Sequence, residues 1–252
     1  MEKSNVKHYV VTRFNVPNKT GINLKPDWVK DRVRLLTNYS LPSVVSQTRD
    51  SFVWLLFMDN ETPASWVNRL ADIVRGSLGG REFKICLISD KFSSEILSSA
   101  IIGLSMDENP SHIITTLLDV DDAISPEYIE SVESLFIVSG TGTRFIAAQN
   151  GICFSEESSQ YLSNSGVFPA VVSCHEEYLT SQDCYTQQLT TCYHPKNLSA
   201  LRSLGRLLKP KFGACWLKVF HKNNSLSRIF PDGIQVDSKI IQDRFSNILD
   251  FK

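Results

Sequence analysis

The 252-residue chain has 42% hydrophobic and 21% charged residues and a formal net charge of −1. That composition suits a folded globular protein and excludes the disordered, collagenous and coiled-coil classes. Its longest uninterrupted apolar run, Phe52 to Met58, is far shorter than the roughly 20 residues of a membrane span.

The start Met1-Glu2-Lys3-Ser4 is polar and carries no signal-peptide core, so a cytoplasmic protein is expected. Six cysteines without a CxxC pair are expected to stay reduced. Cys174, His175, Cys184, Cys192 and His194 form a loose group whose gaps match no usual zinc pattern.

Lys7 to Phe14 reads as a first strand, closed by the turn residues Asn15, Pro17 and Gly21. Trp28, Val29, Arg32, Leu35, Leu36 and Tyr39 fall on one face of a helix that Asp27 can cap and Pro42 ends or restarts. Phe52 to Met58 is continuously apolar, as in a central strand covered on both faces, and Asp59 to Pro63 is its exit loop. Thr62 as cap and Pro63 at the first helical position open a second helix through Trp66, Val67, Leu70, Ile73 and Val74, which Gly76 closes.

A strand from Phe83 to Ser89, a helix carrying Ile96, Leu97, Ala100, Ile101 and Leu104, and a strand from His112 to Leu118 follow. Ser125 and Pro126 then start a helix with Tyr128, Ile129, Val132, Leu135 and Phe136 on one side. Alternating strands and helices predict an α/β fold with a Rossmann-like, mostly parallel central sheet and helices on both faces.

The pattern changes near Ser139. Asn150-Gly151, between Thr143 to Ala148 and Ile152 to Ser155, predicts an antiparallel hairpin in the C-terminal half. Periodicity is weak from Glu156 to Pro210. Gly213 to His221 reads as one more strand, and a helix around Ile240 to Leu249 closes the chain.

In open α/β sheets the ligand crevice lies beyond the carboxyl ends of the parallel strands. Four such ends can be read here: Thr12-Arg13, Asp59-Asn60-Glu61, Asp90, and Asp119-Val120-Asp121-Asp122. Carboxylates gathered on one rim need a cation or basic side chains beside them. Residues i and i+2 of an extended segment point the same way, so Asp119 and Asp121 can address one centre while Asp122 turns toward the next helix. Their oxygens suit Mg²⁺ or Mn²⁺, ions held together with substrate phosphates. The plainer alternative is that Asp121 and Asp122 only offset the positive end of a helix.

Between Cys184 and Pro231 the chain has eight basic residues and no acidic one, so all 27 acidic residues lie elsewhere. Lys218, Lys222 and Arg228 belong to this stretch, which can face a nucleoside diphosphate or an anionic lipid leaflet, or be an ordinary solvated face. No nucleic-acid-binding module is recognisable.

The acidic run resembles the Asp-x-Asp motif of GT-A glycosyltransferases, and the chain as a whole resembles the putative rhamnosyltransferase family. The resemblance is carried by Val11-Thr12-Arg13-Phe14-Asn15, Leu41-Pro42-Ser43-Val44 with Gln47-Thr48, Phe52 to Leu56, Thr62-Pro63, Thr116 to Ala123, and Cys215 to His221 before Asn224. It implies a single GT-A domain over 1–252, with a nucleotide-sugar-binding half at 1–125 and an acceptor-binding half at 126–252. It also implies a nucleoside-diphosphate sugar donor, a divalent cation, Mn²⁺ or Mg²⁺, and an acceptor glycan or glycolipid.

Carried over by position, Thr12 and Arg13 would line the nucleotide pocket, Asp59 would approach the base, Asp119 would reach the ribose or the metal, and Asp121 and His221 would bind the metal. Asp90, Lys218 and Lys222 are further candidates on the donor side, and Asp122, Glu176, Glu177 and Asp183 are the candidates for the general base. One departure is Leu117, where the family has a basic residue before the acidic motif. Two other classes use the same residues: a metal-dependent nucleotidyl or phosphoryl transferase, and a catalytically silent glycan-binding module. Peripheral contact with the inner face of a membrane through residues 184–231 is compatible with each.

Overall fold

The computed structural model describes residues 6–105, 110–138, 142–148, 150–165, 172–177, 205–209, 213–222, 234–246 and 248. The first strand, β1 (Val6–Asn15), runs into a 3-10 turn and then α1 (Pro26–Leu35). Lys25, in extended backbone, precedes α1, and Pro26 takes its first turn, where the missing proline N–H is not needed. Asp27 is therefore inside the first turn, not at the cap.

Pro42 restarts the helix. A π-helical turn over Leu36–Ser40 separates α1 from α2 (Leu41–Val45), as expected where a proline cannot donate to the ladder. Next come β2 (Phe52–Asp59), α3 (Ala64–Leu78), β3 (Glu82–Ile88), α4 (Ser94–Ser105), β4 (His112–Leu117), β5 (Asp122–Ile124) and α5 (Tyr128–Val138).

Two details of α3 depart from the sequence expectation. Pro63 is its cap residue, with no side-chain cap, because the Thr62 hydroxyl instead accepts a 2.7 Å bond from Asn15 Nδ2. The helix also runs through Gly76 and ends at Gly79, whose φ of 59° is the left-handed conformation that closes helices.

The second half supplies β6 (Arg144–Ala147), β7 (Asn150–Ser155), β8 (Gln160–Ser165), β9 (Val172–Glu177), β10 (Arg206–Leu208), β11 (Trp216–Phe220), β12 (Ile234–Gln235) and α6 (Ser238–Phe245). Among the described residues one sheet has the order β10-β6-β9-β4-β1-β2-β3, and its β4-β1-β2-β3 part is parallel. A second sheet has the order β12-β8-β7-β11-β5.

Strand alternation puts the two faces of the parallel part in different apolar layers. Tyr9, Val11, Val53, Leu55 and Phe57 pack with Leu97 and Ile101 of α4, while Val10, Trp54, Leu56 and Met58 pack with Val29 and Val33 of α1 and Leu70 and Val74 of α3. Leu117 joins the α4 layer.

Asn150-Gly151 is not a hairpin turn. β6 belongs to the first sheet and β7 to the second, and β7 pairs with β8 across the turn at 156–159. Gly151 is a strand residue that lets Trp216 lie against the backbone, since a Cβ there would fall 2.1 Å from the indole. The acidic run also differs from expectation, because the N–H of Asp122 bonds the carbonyl of Asp119 at 3.1 Å and makes 119–122 a turn instead of an extended segment. Asp122 then starts β5, so it enters the second sheet and does not lead into a helix.

Candidate active site

The carboxyl end of β4 is pinned before the acidic turn begins. The Leu118 N–H donates to the Val11 carbonyl at 2.9 Å. The Thr12 hydroxyl donates to the Leu118 carbonyl at 2.6 Å and accepts from the Trp54 indole at 2.9 Å. Thr12 is fully buried, so it holds the loop from behind and its side chain does not line a pocket, contrary to the sequence expectation.

Arg13, next in the strand, is on the other face and partly exposed. Its Nη2 donates to both oxygens of Asp119, at 2.9 and 3.2 Å. The turn sends the following carboxylates to different partners. Asp121 Oδ2 is 3.2 Å from His221 Nε2, and the His221 side chain is 2% exposed. Asp122 Oδ2 is 3.4 Å from the Lys218 ammonium, and its Oδ1 accepts from the Val219 N–H at 3.4 Å.

The two neighbours titrate in opposite directions. Burial opposes the charge of Asp121, but the His221 hydrogen bond and the charges of Arg32, Lys218 and His221 outweigh it and hold its carboxyl well below the usual range. Burial pushes Asp122 up; the Lys218 charge opposes this, and the Asp121 and Asp119 charges add to the rise. Asp121 is thus held toward its charged form, while Asp122 lies buried beneath Lys218.

A second ionic group braces the His221 side. Glu156, just past β7, accepts from Arg34 at 2.7 and 3.2 Å and from the Tyr39 hydroxyl at 2.6 Å, and its N–H bonds the Phe220 carbonyl at 2.9 Å. Burial opposes the Glu156 charge, yet the Arg34 and Tyr39 hydrogen bonds keep its carboxyl below the usual range. The sequence reading missed Glu156 and Arg34. Their signal is a long-range pairing between the first helix and the second sheet, which spacing along the chain does not show.

The remaining expected residues are spread more widely. Asp59, at the end of β2, is engaged by Asn23 Nδ2 at 2.7 Å and by the Glu61 N–H at 2.9 Å. Asp90 is exposed beyond β3, three strands from β4 and so roughly 14 Å away at ordinary strand spacing. Lys222 is exposed beside His221.

Glu176 and Glu177 are not brought to the acidic turn. They pair in register with Ile113 and His112, at the start of β4, whereas the turn follows its other end. Asp183 and Arg228 lie outside the described residues, as does most of the 184–231 stretch. Among the described residues no group of three His, Cys, Asp or Glu side chains converges.

The family described as "Putative rhamnosyl transferase" matches residues 9–164, which run from β1 into β8 and include the acidic turn. Among solved structures, S. aureus TarS is similar with a TM-score of 0.48 and 12% identity, covering 85% of this chain and 37% of that one. The mannosyltransferase PcManGT of Pyrobaculum calidifontis, in complex with GDP-Man and Mn²⁺, has a TM-score of 0.47 and 11% identity, covering 86% and 58%. A putative nucleotide-diphospho-sugar transferase from Desulfovibrio desulfuricans G20 has a TM-score of 0.44 and 10% identity, covering 84% and 82%. The chain thus spans less than two thirds of the first two. No curated protein matches it.

Proposed function

The chain belongs to the family described as Putative rhamnosyl transferase, matched over residues 9–164, and on that premise we propose that it moves a sugar, rhamnose first among the candidates, from a nucleoside-diphosphate donor to an acceptor glycan or glycolipid. The observation that carries this reading is the 3.2 Å contact of Asp121 with His221 just past the carboxyl end of β4, with the Arg13–Asp119 pair at the same end.

A carboxylate and an imidazole are a fitting donor set for Mn²⁺ or Mg²⁺, with the donor's phosphates and water as the other ligands. Bound there, such an ion would neutralise charge developing on the departing diphosphate. Asp119 does not share that role in the proposal, because Arg13 engages both of its oxygens. Arg32 and Lys218 set positive charge beside Asp121, Arg13 and Lys222 are the proposed donor-side contacts, and Asp59, held by Asn23, remains the proposed approach to the base.

The proposed step is a single displacement with inversion. The acceptor oxygen bonds the anomeric carbon, the carbon–oxygen bond to the diphosphate breaks with its electron pair leaving on phosphate oxygen, and the acceptor proton passes to a base. Positive charge at the anomeric carbon and negative charge on the leaving group are what the site must stabilise. Of the base candidates, the burial of Asp122 and the register of Glu176 and Glu177 beside the start of β4 count against them.

In this reading residues 1–125 form the donor half and 126–252 the acceptor half of one domain, with His221 reaching back to Asp121. A lipid-linked acceptor would place the protein at the cytoplasmic face of a membrane, where a basic 184–231 stretch matches anionic headgroups. No helix among the described residues is long and apolar enough to cross one.

The test is incubation with UDP-, GDP- and dTDP-sugars, with Mn²⁺ or EDTA, while released nucleotide is identified by chromatography. Release of nucleoside diphosphate with one donor, abolished by EDTA and by Asp121→Asn, is the expected result. Release of sugar 1-phosphate, with the nucleoside monophosphate passing to water or an acceptor, would establish nucleotidyl transfer instead, and no turnover of any donor would leave a silent module.

A further inference from the structure

A cavity of about 500 Å³ opens between the β7–β8 turn and the junction of β12 with α6, lined by Ser159, Tyr161, Gln235, Val236 and Asp237. Its size falls in the range of small-molecule sites. The Tyr161 ring is half-buried and stacked on Phe154, with centroids 4.5 Å apart and planes 19° from parallel. Phe154 is itself buried, so the orientation of the tyrosine is fixed from behind.

The opposite wall is equally fixed. The Val236 N–H bonds the Tyr161 carbonyl at 2.9 Å, Ile234 and Gln235 pair with Ser163 and Leu162, and Asp237 caps α6 by accepting from the Lys239 N–H at 2.9 Å. Ser159, with a φ of 52°, turns the chain in left-handed backbone at the rim.

The chemistry of the lining narrows the ligand. A flat aromatic surface and Val236 suit the C–H face of a pyranose, while Ser159, Gln235 and Asp237 offer hydrogen-bonding groups to its hydroxyls. Among the described residues no lysine or arginine lines the cavity, and a sugar's hydroxyls suit that lining better than a phosphate. The three polar side chains argue against a wholly apolar ligand.

Its position is equally informative. Tyr161 pairs with Phe154, and Phe154 with Val219, so the three share one face of the second sheet. Two residues further along lie Glu156 and His221. At ordinary strand spacing Tyr161 is roughly 10 Å from Val219, and Glu156 joins Tyr39 to the backbone next to His221.

We infer that this cavity is a sugar-binding subsite for the acceptor, with Tyr161 as its stacking platform, a short oligosaccharide's reach from Asp121 and His221. The inference rests on the glycosyl-transfer reading and names where its acceptor is held.

The experiment is saturation-transfer NMR with the methyl glycosides of rhamnose, mannose, glucose and galactose, on protein carrying Mn²⁺ and a nucleoside diphosphate. The expected result is binding of at least one glycoside to the wild type, weakened at least about tenfold by Tyr161→Ala and retained by Tyr161→Phe. Gln235→Ala, at an exposed edge position, should also weaken it and serves if Tyr161→Ala does not fold. Nucleoside diphosphate affinity should be unchanged in all three variants. Equal glycoside binding by wild type, Tyr161→Ala and Gln235→Ala would overturn the inference, and so would no binding of any glycoside at tens of millimolar. Failure of the donor reading shows separately, as nucleotide that does not bind the wild type at all.

Discussion

Replacing Thr12 by Val removes one hydroxyl and leaves the shape nearly unchanged, so its cost can be worked from two hydrogen bonds. The Trp54 indole N–H is fully buried and donates to that hydroxyl. Left without a partner it costs about 1–3 kcal/mol. The bond to the Leu118 carbonyl adds about 0.5–1.5 kcal/mol, for a total of roughly 1.5–4.5 kcal/mol. Thr12→Ser keeps the hydroxyl and loses a methyl, which costs about 0.5–1.5 kcal/mol. Urea unfolding followed by tryptophan fluorescence should therefore rank wild type above Thr12→Ser and Thr12→Ser above Thr12→Val, with unchanged m-values. Nucleotide affinity should fall with Thr12→Val although no ligand contact is removed, because the freed carbonyl precedes Asp119. A Thr12→Val protein as stable as Thr12→Ser would refute the claim that this hydroxyl holds the site from behind.

Other substitutions test the rest of the scaffold. Gly151→Ala drives a Cβ to 2.1 Å from the Trp216 ring and should destabilise by about 1–3 kcal/mol or more, whereas Gly76→Ala, in open space within α3, should stabilise by about 0.5–1 kcal/mol; thermal unfolding of both variants checks the contrast. Lys218→Met leaves Asp122 buried without its cation and should destabilise more at pH 9 than at pH 6 in urea unfolding, because the raised carboxyl can neutralise itself at the lower pH. Glu156 has its carboxyl lowered in the folded state, so its stabilisation is present above the ordinary carboxylate range near pH 4.3 and is lost as pH falls through the lower folded value. Glu156→Gln should flatten that acid limb in melting curves taken from pH 6 to 3, and an unchanged limb would show that the brace contributes nothing.

The parallel half was legible because its residues answer to local rules. Phe52 to Met58 is apolar at every position because both faces are covered, and the observed β2 differs only by Asp59. Helix ends were less legible, since Thr62 and Gly76 satisfy local capping rules but Asn15 and the helix's own continuation claim them. Asn150-Gly151 misled for a similar reason: glycine serves there to admit Trp216, a contact between residues 65 apart in sequence. At the site, Asp121 and His221 were both candidates from the sequence, and the structure brings them together across 100 residues. Asp122 could not be told from its neighbours, because what distinguishes it is burial beneath Lys218 in a sheet the pattern did not reveal.

The most direct measurement is isothermal titration of UDP, GDP and dTDP into wild type, Asp121→Asn and His221→Ala, each in MnCl₂ and in EDTA. The expected result is binding of one nucleotide by the wild type in MnCl₂, weakened by about tenfold or more in EDTA and in either variant. Binding of equal strength in EDTA, or in Asp121→Asn, would contradict the assignment of Asp121 and His221 as the pair through which the donor is held.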